Sequence, residues 1–193
     1  MIKVFESDVL RYLGCHQAPA DENILAHIRQ LRAALAHAAT PKSIYQLWPC
    51  QTGQHTVVFG GITLYSKHLA RHLNACTCVA AFAVTLGAEA DTFIRRYSIS
   101  DMGKAVLADA VCTAMTENLC DHAVSQIAQD PAVYGWHPTA RFSPGFGDFG
   151  MAHQRDILTL LDGQKRIGLT LTDSHMLCPA KSVTAVVGFR RDT

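Results

Sequence analysis

Between Asp21 and Ala39, apolar side chains return at helical spacing, with Ile24, Leu25, Ile28, Leu31 and Leu35 along one stripe. Asp21 is placed to cap that helix, and Thr40-Pro41 stops it. With a shorter helix over Asp8–Gly14, it makes residues 1–40 a helical N-terminal segment. Ser43–Leu47 and His55–Phe59 read as strands, Gly60-Gly61 as a turn, and Ser66–Leu73 as a short helix capped by Ser66. Cys76–Leu86 is the most apolar run of the chain, which predicts a central strand buried on both faces and closed by Gly87. Helices are expected over Ala88–Tyr97 and Asp101–Gln129, the second rich in alanine and stopped by Asp130-Pro131. A loop over Tyr134–Thr139 leads to a short strand at Ala140–Phe142 and an irregular glycine-rich stretch over Ser143–Gly150. A helix follows at His153–Leu161, ended by Asp162-Gly163, and then strands Gly168–Thr172 and Ser182–Phe189 joined by a loop through Pro179. Helices and strands come in mixed order without βαβ alternation, which points to an α+β fold.

Charge and composition narrow the function classes. The chain has 193 residues, and a hydrophobic fraction of 49% supplies enough core for one domain over residues 1–193. With 17 basic and 16 acidic side chains and no basic stripe, no nucleic-acid or anionic-membrane surface is expected. No segment approaches the roughly 20 apolar residues that span a bilayer. The first residues turn acidic at Glu6 and Asp8, too early for a signal peptide, so a cytoplasmic location is expected. Seven cysteines in apolar surroundings fit a reducing compartment. Cys76 and Cys78 share a face of the expected strand, yet with Cys50 or Cys178 they match no zinc spacing, and the ten histidines form no H-E-x-x-H pair. No metal site is expected. Ser174 and Ser182 lack a G-x-S-x-G setting, which argues against a hydrolase nucleophile.

Gly145-Phe146-Gly147-Asp148-Phe149-Gly150 matches G-x-G-x-x-G, with Asp173 downstream where a dinucleotide fingerprint wants an acid. Three features oppose phosphate binding: the preceding strand is short and carries Arg141, Pro144 sits directly before the first glycine, and Phe149 is bulky beside the third.

The same residues read better together with those before them. Arg141-Phe142-Ser143-Pro144-Gly145-Phe146 resembles the R-x-x-P-G-Y signature of the activation domain of cobalamin-dependent methionine synthase. Ile167–Ser174 and Pro179–Thr184 are similar to that family's I-G-(L/V)-x-L-T-(D/E)-S and P-x-x-S-V-(T/S) blocks. Ala83–Gly87 and Ala114–Glu117 resemble its short, free-standing members, so the likeness runs in order from about Ile62 to Gly188.

The resemblance implies a mixed, mainly antiparallel sheet packed with helices, and a site for S-adenosylmethionine at Arg141, Ser143, Pro144, Gly145 and Phe146. A guanidinium grips a carboxylate bidentately, so Arg141 would clamp the methionine end. Pro144-Gly145 would make a turn that exposes backbone groups, with Ser143 and Gly145 contacting ligand through the main chain. Glu117, which aligns with a glutamate of the family's long helix, would balance the ligand's positive charges. Asp8 is a possible counterpart of an acidic contact near the family's N-terminus. Two departures stand out: Phe146 lacks the phenol oxygen, and Val187 stands where the family has an aromatic contact. The implied role is an accessory protein, without catalytic residues of its own, that supports reductive remethylation of cobalamin. The corrinoid would be carried by a methionine synthase or related methyltransferase, with a flavodoxin or ferredoxin as electron donor. His175 and Cys178 flank the expected site, and Lys181 is near enough to meet phosphate or corrinoid side chains. The alternatives are a binding or scaffold module that has lost the ligand, and a dinucleotide-binding oxidoreductase.

Overall fold

The computed structural model describes residues 4–14 and 21–191. At its centre, four strands lie in the order β1-β5-β9-β6, every neighbouring pair antiparallel: β1 (Lys42–Pro49), β5 (Cys78–Thr85), β9 (Ser182–Arg190) and β6 (His137–Pro138). From Val79 to Thr85 every residue of β5 is buried, as its unbroken apolar run requires. The strand starts two residues later than the sequence pattern suggests, because Leu73–Cys76 closes as a turn with Ala75 at φ 66°.

The two-residue side-chain period divides the core. Ala80, Phe82 and Val84 of β5, with Ala185, Val187 and Phe189 of β9, face one layer of helices. That layer holds α1 (Glu6–Tyr12), α2 (Glu22–Ala38), α4 (Ala88–Ser100) and α5 (Met102–Ile127). Val79, Ala81 and Ala83, with Val186, face the other layer. There lie α3 (Lys67–His72), α6 (His153–Leu161), α7 (Gly163–Ile167) and the small sheet β2 (Gln51–Thr52), β3 (Thr56–Phe59) and β4 (Ile62–Tyr65). A separate ribbon pairs β7 (Thr170–Leu171) with β8 (Leu177–Cys178).

The helix signals are used as read. Asp21 accepts from Asn23 N–H at 2.8 Å and Ser66 from Leu69 N–H at 2.9 Å; Asp101, not singled out as a cap from the sequence, accepts from Lys104 N–H at 3.0 Å. Ile28, Leu31 and Leu35 form the buried stripe of α2. Other elements differ from expectation. The first helix runs Glu6–Tyr12, not Asp8–Gly14. Ile62–Tyr65, too short to show its alternation, is a strand joined to β3 through Gly60 and Gly61, both at positive φ (57° and 81°), as tight hairpins demand. Ala140–Phe142 is no strand: only Phe142 bridges to Val186, while His137–Pro138, expected in a loop, pairs with Arg190 and Phe189. Asp162 does end α6 in the left-handed region at φ 53°, but α7 follows at once.

No helix among the described residues is long and apolar enough to cross a membrane. Burial raises the thiols of Cys112 and Cys120 to about 12, whereas Cys178 is exposed. Since the thiolate is the reactive form, a disulfide-exchange reagent at about pH 8 should label Cys178 in the native protein and leave Cys112 and Cys120 until denaturant is added. Mass mapping of the labelled peptides checks this, and rapid native labelling of Cys120 would contradict the burial.

Candidate functional site

The outer edge of β9 is covered unevenly. β6 pairs only at Phe189 and Arg190, and Phe142 bridges at Val186, which leaves the Ser182–Thr184 end without a neighbouring strand on that side among the described residues. A cavity of about 320 Å³ opens there, within the range of small-molecule sites. Five residues singled out from the sequence line it: Glu117, Arg141, Ser143, Pro144 and Phe146. They come from α5 and from the segment after β6, so only the folded chain brings them together.

Alternation explains how Arg141 reaches Glu117. Phe142 packs into the α6-side layer, so its neighbour Arg141 turns to the α5 side. There its Nη2 donates to a carboxylate oxygen of Glu117. Both side chains are largely covered, 23% and 29% exposed. Burial lowers the Arg141 pKa, but the hydrogen bond to Glu117 and the negative charges of the Glu117 and Asp121 carboxylates help to more than reverse it, and the net shift is upward. The cation is therefore permanent. Its second terminal nitrogen, Nη1, is buried and has no hydrogen-bond partner among the described residues. A buried donor without an acceptor is costly and rare.

The loop that follows is built by its own residues. Phe146 N–H donates to Ser143 O at 3.1 Å across a turn with Pro144 and Gly145 at its centre, Gly145 having φ 99°. Proline then a positive-φ glycine is the type II arrangement. A Cβ at Gly145 would come within 2.9 Å of Met151 Sδ. Gly145 does not line the cavity, and its N–H is used inside the loop, on Phe149 O at 2.6 Å. Phe149 is fully buried, its ring stacked on His153 at 5.2 Å and tilted against Phe142 at 6.1 Å.

Asp148 fastens the loop to the start of α3. Its carboxylate accepts from the Ser66 hydroxyl, from Lys67 N–H at 2.8 Å and from His68 N–H at 3.1 Å. These bonds, led by the one from Ser66, hold its pKa down at about 2. The folded value lies below the ordinary 3.8, so the stabilisation is whole above about pH 4 and disappears as pH falls through about 2. Acid titration of unfolding should show this directly: Asp148→Asn should be less stable than wild type at pH 7 and converge with it near pH 2. A constant difference across that window would show that the carboxylate's charge does not matter.

Other residues named from the sequence fall outside the cavity wall. Asp8 sits on α1 and meets Asn118 at 3.5 Å, beside Glu117 in sequence but not lining the cavity. Val187 is buried in the α5-side layer. Lys181 Nζ is held by Asp109 and Thr113, each at 2.9 Å. The described residues do not form the dinucleotide arrangement: their central sheet is antiparallel throughout, and the glycines sit in a turn-rich loop after an isolated bridge. Sequence reading missed Gln154 and Thr184, both buried and both lining the cavity. One signal for Gln154 was available, since it lies in the row with Ile157, Leu158 and Leu161, the buried face of α6.

Comparison with known proteins follows the same lines. The model of the vitamin B12 dependent methionine synthase activation domain matches residues 66–192. Among solved structures, the chain resembles the MetH reactivation domain in its crystal structure bound to AdoHcy, with a TM-score of 0.70 and 14% identity. The match covers 98% of this chain and 75% of that one, and at such identity it is a likeness of fold. No curated protein sequence matches.

Proposed function

This chain belongs to the family of vitamin B12 dependent methionine synthase activation domains, and from that premise we propose that it binds S-adenosylmethionine beside Arg141 and serves the reductive remethylation of a partner's cobalamin. The observation that carries the reading is the buried Nη1 of Arg141, without a partner among the described residues, at a cavity wall. A ligand carboxylate supplies the acceptor that Nη1 lacks, and Glu117 on the same wall suits an adjacent ammonium. A guanidinium and a carboxylate side by side are complementary to an α-amino acid head group. The structural neighbour, whose crystal structure holds AdoHcy, supports a ligand of this class.

In this reading the protein's own part is positional. Arg141 and Glu117 hold the amino acid end, while the Ser143–Phe146 turn, with Gly145 behind it, shapes the wall. Cobalamin, carried by a corrinoid-binding methionine synthase or related methyltransferase, is the methyl acceptor. A flavodoxin or ferredoxin would supply the electron, and the setting would be cytoplasmic. The whole chain would act as one activation unit without catalytic groups of its own. Phe146, which is 51% exposed at the cavity mouth, and the buried Val187 favour one rival, a docking module that no longer takes the ligand.

Isothermal titration of the full chain with S-adenosylmethionine and with S-adenosylhomocysteine separates the two. Saturable binding of one equivalent is expected for both. No heat with either, together with capture of a corrinoid protein, would leave the docking module.

A further inference from the structure

Gln154 is 4% exposed and sits where a helix of this kind places an apolar side chain, in line with Ile157, Leu158 and Leu161. Glutamine is usually exposed, and its burial costs free energy unless both ends are bonded. Both ends are engaged here. Nε2 donates to His175 O at 2.7 Å, in the turn between β7 and β8, and Oε1 accepts from Thr184 Oγ1 at 3.4 Å. Nε2 also lies 3.9 Å from Met151 Sδ. The bond to His175 O is short, while the other two are long and weak for their kind. An amide has two donors and two acceptor sites; both donors of Nε2 are engaged, so one acceptor site on Oε1 remains, and Gln154 and Thr184 both line the cavity.

The strand beneath adds to this. Val186 exchanges backbone hydrogen bonds with Phe142, while Gly188 O accepts from Thr139 N–H and Gly188 N–H donates to Thr139 Oγ1, all away from β5. In an antiparallel strand alternate residues share that direction, so the N–H and C=O of Thr184 also point away from β5. Among the described residues no strand residue lies opposite them, since the bridge at Val186 is the last pairing described on that edge. The chain therefore presents a neutral set of donors and acceptors: the Gln154 amide, the Thr184 hydroxyl and the Thr184 backbone. Val186, the residue two along from Thr184, packs in the α6-side layer. Thr184 and Gln154 thus lie on that face of the sheet, and Arg141 and Glu117 on the α5 face. One cavity joins a charged end to an uncharged one.

We propose that Gln154, with Thr184 and the open edge of β9, holds the uncharged nucleoside end of the ligand, on the opposite face of the sheet from Arg141 and Glu117. The proposal rests on the reading of the cavity as a site for S-adenosylmethionine and assigns its second half. A nucleoside offers what such a surface takes: ring nitrogens, an exocyclic amine and ribose hydroxyls, all neutral donors or acceptors. Met176 and Leu177 supply apolar cover for a flat ring, and Gln154 holds the turn that carries them through His175 O.

The test uses the full chain and two ligands in isothermal titration: S-adenosylmethionine, and 5′-methylthioadenosine, which keeps the nucleoside and lacks the amino acid. Gln154→Met, an unbranched apolar replacement, should weaken both by a similar factor, about tenfold. Thr184→Val, which keeps shape and strand propensity, should weaken both by a smaller common factor and serves if Gln154→Met folds poorly. Arg141→Ala should weaken S-adenosylmethionine alone. If wild type binds both ligands and the two variants bind 5′-methylthioadenosine like wild type, the assignment of the nucleoside end falls while the reading of the cavity stands. If wild type binds neither, both fall together.

Discussion

Arg141→Ala should reduce affinity for S-adenosylmethionine at least a hundredfold. Two effects add. The ligand carboxylate loses a bidentate, charge-assisted partner, each such hydrogen bond contributing about 1.5–3 kcal/mol. Glu117, whose side chain is 29% exposed, also loses its counter-charge and draws the ligand's cationic end without anything to fix the other end. The fold should lose less. Breaking a fully buried pair costs about 3–5 kcal/mol, but both side chains here retain some solvent, so about 1–2 kcal/mol is expected. Arg141→Lys separates charge from shape: the charge stays, the planar fork is lost, and binding should fall about tenfold. The double variant Arg141→Ala with Glu117→Gln removes the stranded carboxylate. It should recover stability in urea denaturation while binding stays lost. Affinity within threefold of wild type for Arg141→Ala would remove the basis of the proposed site.

Local signals in the sequence placed the pieces of this site but not their arrangement. Strand β5 was legible because burial on both faces leaves no polar position in the run, a property of the residues alone. The cap residues Asp21 and Ser66 act on N–H groups two or three positions away, and both are used as expected. Arg141 and Glu117 were legible through the resemblance, and their meeting is a matter of alternation about Phe142. What was not legible depends on long-range pairing. His137–Pro138 is a strand only because Phe189 and Arg190 lie opposite, and a two-residue element has no periodicity to read. Asp148 looked like part of a glycine motif, yet it spends its oxygens on Ser66, Lys67 and His68, some 80 residues back. Gln154 broke the apolar row of α6 visibly, but only the fold shows that His175 and Thr184 stand at its two ends.

Phe149→Ala should be among the most damaging single changes to both stability and binding. The ring is fully buried and joins three parts of the α6-side layer: His153 at the start of α6, Phe142 at the β9 bridge, and the loop that carries Pro144 and Phe146. Truncating a buried phenylalanine removes its transfer free energy and leaves a cavity, together about 3–5 kcal/mol. With a urea dependence of about 1–3 kcal/mol/M, the unfolding midpoint should fall by at least 1 M. The loop should also loosen, because Phe149 O is the acceptor for Gly145 N–H and its anchoring side chain would be gone. Phe149→Leu keeps most of the volume and should recover more than half of the stability. The comparison carries a second consequence. If the Ser143–Phe146 turn shapes the cavity through its anchor at Phe149, Phe149→Leu should bind S-adenosylmethionine more weakly than wild type at temperatures where both are fully folded. Calorimetry well below the unfolding transition decides this, and a stable Phe149→Leu with wild-type affinity would show that the turn keeps its shape without the ring.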